Sequence, residues 1–260
     1  LIIPARLVSL GSSPSEVTRS FGELSGMAMP LLFIPSTVIG SLALVSLPEI
    51  SESYYTKNAS KLKKGVAVAF DCSLFVTALI IPVFFGAGKE ICKFLYANEG
   101  SGKYLALSAG IMLPMSVSMI CCSVLNSLGK EKLTFLNFLI GATAMLLVVY
   151  FLTPVIGVNS LIVGYAVNFI LSSLLDLFAT ERKVFSKDKK EKRFLTKRLI
   201  KVIAVILPSS AFSLLAKSIF TRFCPLIVTL ILTGCLSVAF TLIFLFVLSK
   251  DDFIDAFPSL

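Results

Sequence analysis

Few residues in this chain have side chains that can do chemistry, and several of those stand inside or beside long apolar runs. Glu23, Asp71 and Asp176 are carboxylates at such places, and Asn126, Asn137 and Asn168 are amides within them. A polar or charged group in that setting calls for a partner, a ligand or a water-filled path. Histidine is absent, which removes the commonest general base and metal ligand. The six cysteines, at 72, 92, 121, 122, 224 and 235, form no C-x-x-C pair and read as small packing residues. No P-loop, serine nucleophile elbow or zinc motif is present, so no catalytic residue, metal site or cofactor is assigned.

Glu23 is the sharpest of the candidates. It stands at the mouth of the run Leu24–Pro48, which carries no formal charge. Either it is a helix-start charge near positive backbone N–H groups, or it is a cavity carboxylate that pairs with a basic residue, a coupling ion or a proton. Arg6, close by in sequence, is the expected partner. Asp71 lies about one turn inside the next apolar run, where a carboxylate can also snorkel to the interface. The three asparagines fall in three different runs. Their amides either hydrogen-bond between helices or, if they face one cavity, suit a hydroxyl-rich ligand such as a sugar. Asp176, near the end of a run, reads as boundary charge.

The elements that position these groups are membrane helices. Apolar residues make up 56% of the chain, charged residues only 15%, and mean hydropathy is +0.92. A soluble domain is about a quarter charged, so the fold class is all-α integral membrane. Complete spans are expected over Leu24–Leu47, Val66–Phe85 and Tyr104–Leu128. Leu133–Leu175 is too long for one crossing and divides at Pro154, Gly157 and Asn159 into an antiparallel pair. Two more follow, Leu199–Ala216 and Pro225–Leu248. Gly26, Pro30, Pro35, Gly40 and Pro114 are expected to break their helices, because proline removes an intrahelical hydrogen bond that lipid cannot replace. Between spans, Ile91, Phe94 and Leu95 recur at helical spacing and suggest a short helix lying in the interface.

The formal charge of +9 sits in loops, where it sets membrane orientation instead of marking a nucleic-acid partner. Seventeen of the 24 Lys and Arg fall on one side of this topology and seven on the other. The bias puts the basic loops and the C-terminus in the cytoplasm of a multi-pass protein of the cell membrane. The most basic loop, Glu181–Lys201, is expected to bind anionic lipid headgroups as well. Residues 1–20 read as the end of a preceding transmembrane helix and an outer loop, 21–248 as the bundle, and 249–260 as a short acidic cytoplasmic tail. A start at Leu1, without a signal peptide, suggests that further sequence precedes this chain. Ser25–Leu31 (SGMAMPL) and Ala109–Met115 (AGIMLPM) echo each other through Gly-x-x-x-Pro, as repeats in transporters do.

The strings Ile3–Leu7 (IPARL), Phe21–Pro35 with its GELSGMAMPLL, Pro48–Glu52 (PEISE) and Cys122–Leu133 (CSVLNSLGKEKL) resemble the sporulation branch of the polysaccharide/oligosaccharidyl-lipid exporters. These are relatives of the lipid II flippases and of the multidrug-and-toxin extruders. The resemblance implies half of a fourteen-helix, two-bundle transporter: a C-terminal bundle of about seven helices plus the end of one more, whose partner is a missing N-terminal bundle. It also implies a flippase that moves a lipid-linked sugar, a peptidoglycan or polysaccharide precursor, by alternating access, with a role in sporulation. In the lipid II flippases cavity arginines are important, and Arg6 and Arg19 would take that role here. Some relatives hold a cation between acid and amide groups, but Asn137 is followed one turn later by Gly141, which supplies no acid. Three other readings remain. A drug or cation extruder would have an acidic, aromatic cavity. A membrane-embedded glycan polymerase or ligase would need a large outer loop, and Gly86–Lys103 is short. A non-transporting assembly protein would have a packed interior.

Overall fold

A computed structural model describes residues 2–185, 193–223 and 225–256, and the described residues are helical without a strand. A short α1 (Ile2–Ser9) leads into α2 (Pro14–Gly22), which passes through a π-turn at Glu23–Ala28 into α3 (Met29–Tyr55). Then come α4 (Ala59–Tyr96) and α5 (Gly100–Ser108), joined through a 3₁₀ turn at Ala109–Ile111 to α6 (Met112–Ser127). α7 (Glu131–Ile156) and α8 (Ser160–Thr180) follow, α8 ending in a π-turn at Glu181–Phe185, and α9 (Phe194–Phe223) and α10 (Leu226–Ala256) complete the bundle.

Six continuous helical segments are long and apolar enough to cross a membrane. One of them, Glu131–Phe185, doubles back at Gly157, so the bundle has seven crossings preceded by the α1 fragment. Gly157, at φ +60°, takes a backbone conformation that side-chain-bearing residues resist, and Gly129 does the same (φ +68°) at the α6–α7 turn. Pairing across the hairpin is antiparallel and converges on Gly157. Asn137 meets Asp176, Gly141 faces Asn168 and Ser172, Gly164 faces Val149, and Thr153 meets Ser160. A Cβ at Gly141 or Gly164 would collide with the opposite helix, so both glycines are there for close approach.

The two Gly-x-x-x-Pro sites both disturb the helix, in opposite senses. Pro30 cannot donate to the Gly26 carbonyl, and the ladder widens to a π-turn just before it. Pro114 cannot donate to the Gly110 carbonyl, and there the ladder tightens to a 3₁₀ turn. Other expectations need correction. Pro35 and Gly40 do not break the first span: α3 runs through both, and through Pro48 as well. No separate interfacial helix holds Ile91, Phe94 and Leu95, because α4 continues without a break to Tyr96 and stops where Ala97 turns left-handed. α10 likewise runs past Leu248 to Ala256, into the region read as tail. The middle of the basic loop, 186–192, and the last four residues lie outside the described residues.

α4 and α6 form the interior. Phe70, Leu74 and Ile81 of α4 and Met112, Met115, Ile120 and Leu125 of α6 are fully buried. α7 is the opposite case, with Phe135, Phe138, Ile140, Leu147, Phe151 and Val155 all exposed. In water such a surface would aggregate; in a bilayer it is the natural boundary with lipid or another helix. Serine and threonine hydroxyls mostly bond carbonyls of their own helix one turn back, as Ser36, Ser46, Thr77 and Thr241 do. That satisfies them where no water is at hand.

Candidate functional site

The bundle has a lysine-rich end, formed by the α3–α4 and α6–α7 turns and the start of α9, and a far end, formed by the α4–α5 and α7–α8 connections. Polar side chains gather at each. At the far end Glu23, 8% exposed, accepts from Arg19 Nε at 3.1 Å and from Asn98 Nδ2 at 3.0 Å. Asn98 also accepts the Ser101 N–H with its Oδ1, so one side chain ties Glu23 to the first turn of α5. Gly100 lies against the Glu23 carboxylate with no room for a Cβ. The carboxylate thus faces the positive end of a helix as well as a guanidinium. Arg6 is not its partner: the Arg6 guanidinium lies over the Tyr150 ring, 3.8 Å from its centroid, and holds α1 against α7.

Beside this clasp is a cleft of about 230 Å³, lined by Lys89, Glu90, Lys93, Glu99, Thr221, Leu226 and Thr229. Lys93 Nζ bonds Glu99 Oε1 at 2.6 Å and Lys89 stands 3.7 Å from the same carboxylate. The hydrogen bond from Lys93, then the charges of Lys93 and Lys89, hold the Glu99 carboxyl below the usual glutamate range. Glu90 is buried and forms an ion pair with Lys217 across the α4–α9 seam, at 3.0 Å.

Toward the lysine-rich end Asp71 pairs with Arg198, again α4 with α9, and the Arg198 guanidinium lies over Phe194. Asp176 is not a boundary charge. It is buried, 3% exposed, accepting from Asn137 Nδ2 of α7 at 2.8 Å and from Ser118 Oγ of α6 at 3.2 Å. Asn126 is exposed and accepts from Thr134 Oγ1 at 2.8 Å across the α6–α7 turn. Asn168 is buried opposite Gly141. Each of the three asparagines therefore has a side-chain partner of its own: Thr134, Asp176 and Ser172. A carboxylate from the end of α8, Glu181, accepts both the backbone N–H and the hydroxyl of Thr196 at the start of α9.

Of the seven pathway candidates, the structure brings Arg19 directly to Glu23 and leaves Arg6, Asp71, Asn126, Asn137 and Asn168 with other partners. Sequence reasoning missed Asn98, Glu90, Lys217, Arg198 and Ser118. One signal was present for the charged ones: Asp71 and Glu90 have the same spacing as Arg198 and Lys217. Among the described residues no group of three or more His, Cys, Asp or Glu is placed to hold a metal ion.

Seven apolar crossings with few charges define a multi-pass helical membrane protein. Over 212 residues the chain is 24% identical to Stage V sporulation protein B of Bacillus subtilis (strain 168), a distant relative. The match takes in 81% of this chain and 41% of that protein, so the chain spans less than half the length of the curated relative it matches. No protein-family model matches the chain. No solved structure matches it either.

Proposed function

We propose that this chain is the C-terminal bundle of a flippase that moves a lipid-linked oligosaccharide across the cytoplasmic membrane. The observation that carries the reading is that the similarity to a stage V sporulation protein extends over most of a seven-crossing bundle and under half of that relative. A second bundle would pack against this one, and the two would rock about a cavity between them. Arg6 and Arg19, on the α1–α2 arm, would be the cationic groups to which charge-assisted hydrogen bonds attract a sugar diphosphate. The lipid tail would stay in the bilayer. In this reading the lysine-rich end faces the cytoplasm and the basic Glu181–Lys201 loop meets anionic headgroups. The cargo belongs to peptidoglycan or polysaccharide synthesis, in keeping with a role in sporulation.

Depletion tests this reading in cells. In a strain lacking other flippases, loss of the protein should reduce the lipid-linked precursor exposed on the outer leaflet. Unchanged exposure would rule out that cargo.

A further inference from the structure

Asp176 is buried, yet it differs from the ion-paired carboxylates of the bundle. Glu23, Asp71 and Glu90 each have a guanidinium or ammonium partner. Asp176 has none among the described residues, and its two oxygens are held only by the Asn137 amide and the Ser118 hydroxyl. An uncompensated charge buried among transmembrane helices is costly, and a group so placed either acquires a counter-ion or takes up a proton.

A polar seam leads to it. Ser118, Cys122 and Asn126 follow one another at four-residue spacing along one face of α6, and Thr134 and Asn137 lie one turn apart on α7. Asn126, exposed at the lysine-rich end, donates to Cys122 Sγ at 3.7 Å and accepts from Thr134. Asn126, Cys122 and Thr134 are in contact at the exposed end, and one helical turn further in Ser118 and Asn137 hold the carboxylate. Other titratable groups facing Asp176 are the thiols of Cys121 and Cys122 on α6, while Glu181, five residues on, is occupied by Thr196. From α7 it meets only the Asn137 amide.

We propose that Asp176 is a reversible proton-binding site reached from the lysine-rich end through the α6–α7 seam. The two oxygens divide the work. When the carboxyl is charged Oδ1 accepts from Asn137 and Oδ2 from Ser118; when it is protonated Oδ1 keeps the Asn137 bond and the proton on Oδ2 takes the place of the Ser118 hydrogen bond. The proton comes from the adjacent aqueous phase, and no other bond changes. Because the same three side chains join α6, α7 and α8, loading the site alters the packing of those helices. The assignment stands on these contacts and does not depend on which cargo the protein moves.

Infrared titration of the full chain in lipid vesicles reads the carboxyl itself. Between about pH 4 and pH 9 the wild type should show a protonated-carboxyl band that disappears as pH rises, and Asp176→Asn should lack it. Ser118→Ala removes a donor that favours the charged form, so the pH of half-loss should rise by about one unit. Should Asp176→Asn fail to insert, the Ser118→Ala shift decides alone. A band that persists in Asp176→Asn, or a midpoint unmoved in Ser118→Ala, would overturn the assignment.

Discussion

Lys217 Nζ lies 3.0 Å from Glu90 Oε2, and both residues stand 19 positions after the partners of a second ion pair, Arg198 and Asp71. Gly86 and Ser213, in close contact between the two pairs, keep the same offset. The α4 and α9 helices therefore run parallel and in fixed register. At 1.5 Å per residue the two ion pairs are about 28 Å apart, close to the ~30 Å thickness of a hydrocarbon core. Each sits near one boundary of the membrane.

Removing one member of either pair should deprive the other of its opposite charge. Lys217→Ala and Asp71→Ala are each expected to lower stability by about 3–5 kcal/mol, read as a fall in the detergent melting temperature. The doubles Glu90→Ala/Lys217→Ala and Asp71→Ala/Arg198→Ala should recover part of the loss, since no lone charge remains. Additive losses in the doubles would mean that the pairs do not interact.

Gly141→Ala should damage the α7–α8 hairpin, because the new Cβ would meet Asn168 and Ser172. The expected loss is about 1–3 kcal/mol. Ser172→Ala in the same chain should relieve some of it by clearing one of the two obstacles, whereas Ser172→Ala alone should be close to neutral. Thermal unfolding of the three variants checks this.

Glu99 gives a pH signature at the far end. Its carboxyl is held low by Lys93 first and Lys89 second, so the interaction stabilises the folded form above the ordinary glutamate value and is lost as pH falls through the lowered one. Wild type should melt slightly above Glu99→Gln at neutral pH, and the gap should close on acidification below about pH 4. Added salt should shrink it too, because the pair is exposed.

The number of crossings was legible in the sequence because charged loops alternate with apolar runs of membrane length, and because Gly157 divides the one run that is twice too long. The partners were not. Asn137 and Asp176 meet only through the register of a hairpin, and Asp71 finds Arg198 across more than a hundred residues of intervening helix. Pro35 and Gly40 misled in the other direction: a membrane helix can absorb a proline without ending, since lipid offers the remaining backbone groups no partner outside the helix and the other intrahelical bonds are kept. The π-turn and the 3₁₀ turn beside Pro30 and Pro114 share one sequence pattern, and nothing in that pattern distinguishes a widened ladder from a tightened one.

Orientation follows from the turns. In a cysteine-free background, Lys130→Cys at the α6–α7 turn should be shielded from a membrane-impermeant maleimide in intact cells, and Asn159→Cys, exposed at the α7–α8 turn, should react. The reverse pattern would invert the topology that the basic loops indicate.

Reconstitution tests the proposed function most directly. Full-length protein in vesicles, given a lipid-linked sugar diphosphate in one leaflet, should carry it to the other faster than protein-free vesicles do, and should not move a hydrophobic cation. Movement of the cation with no movement of the lipid-linked sugar would contradict the flippase reading and favour an extruder.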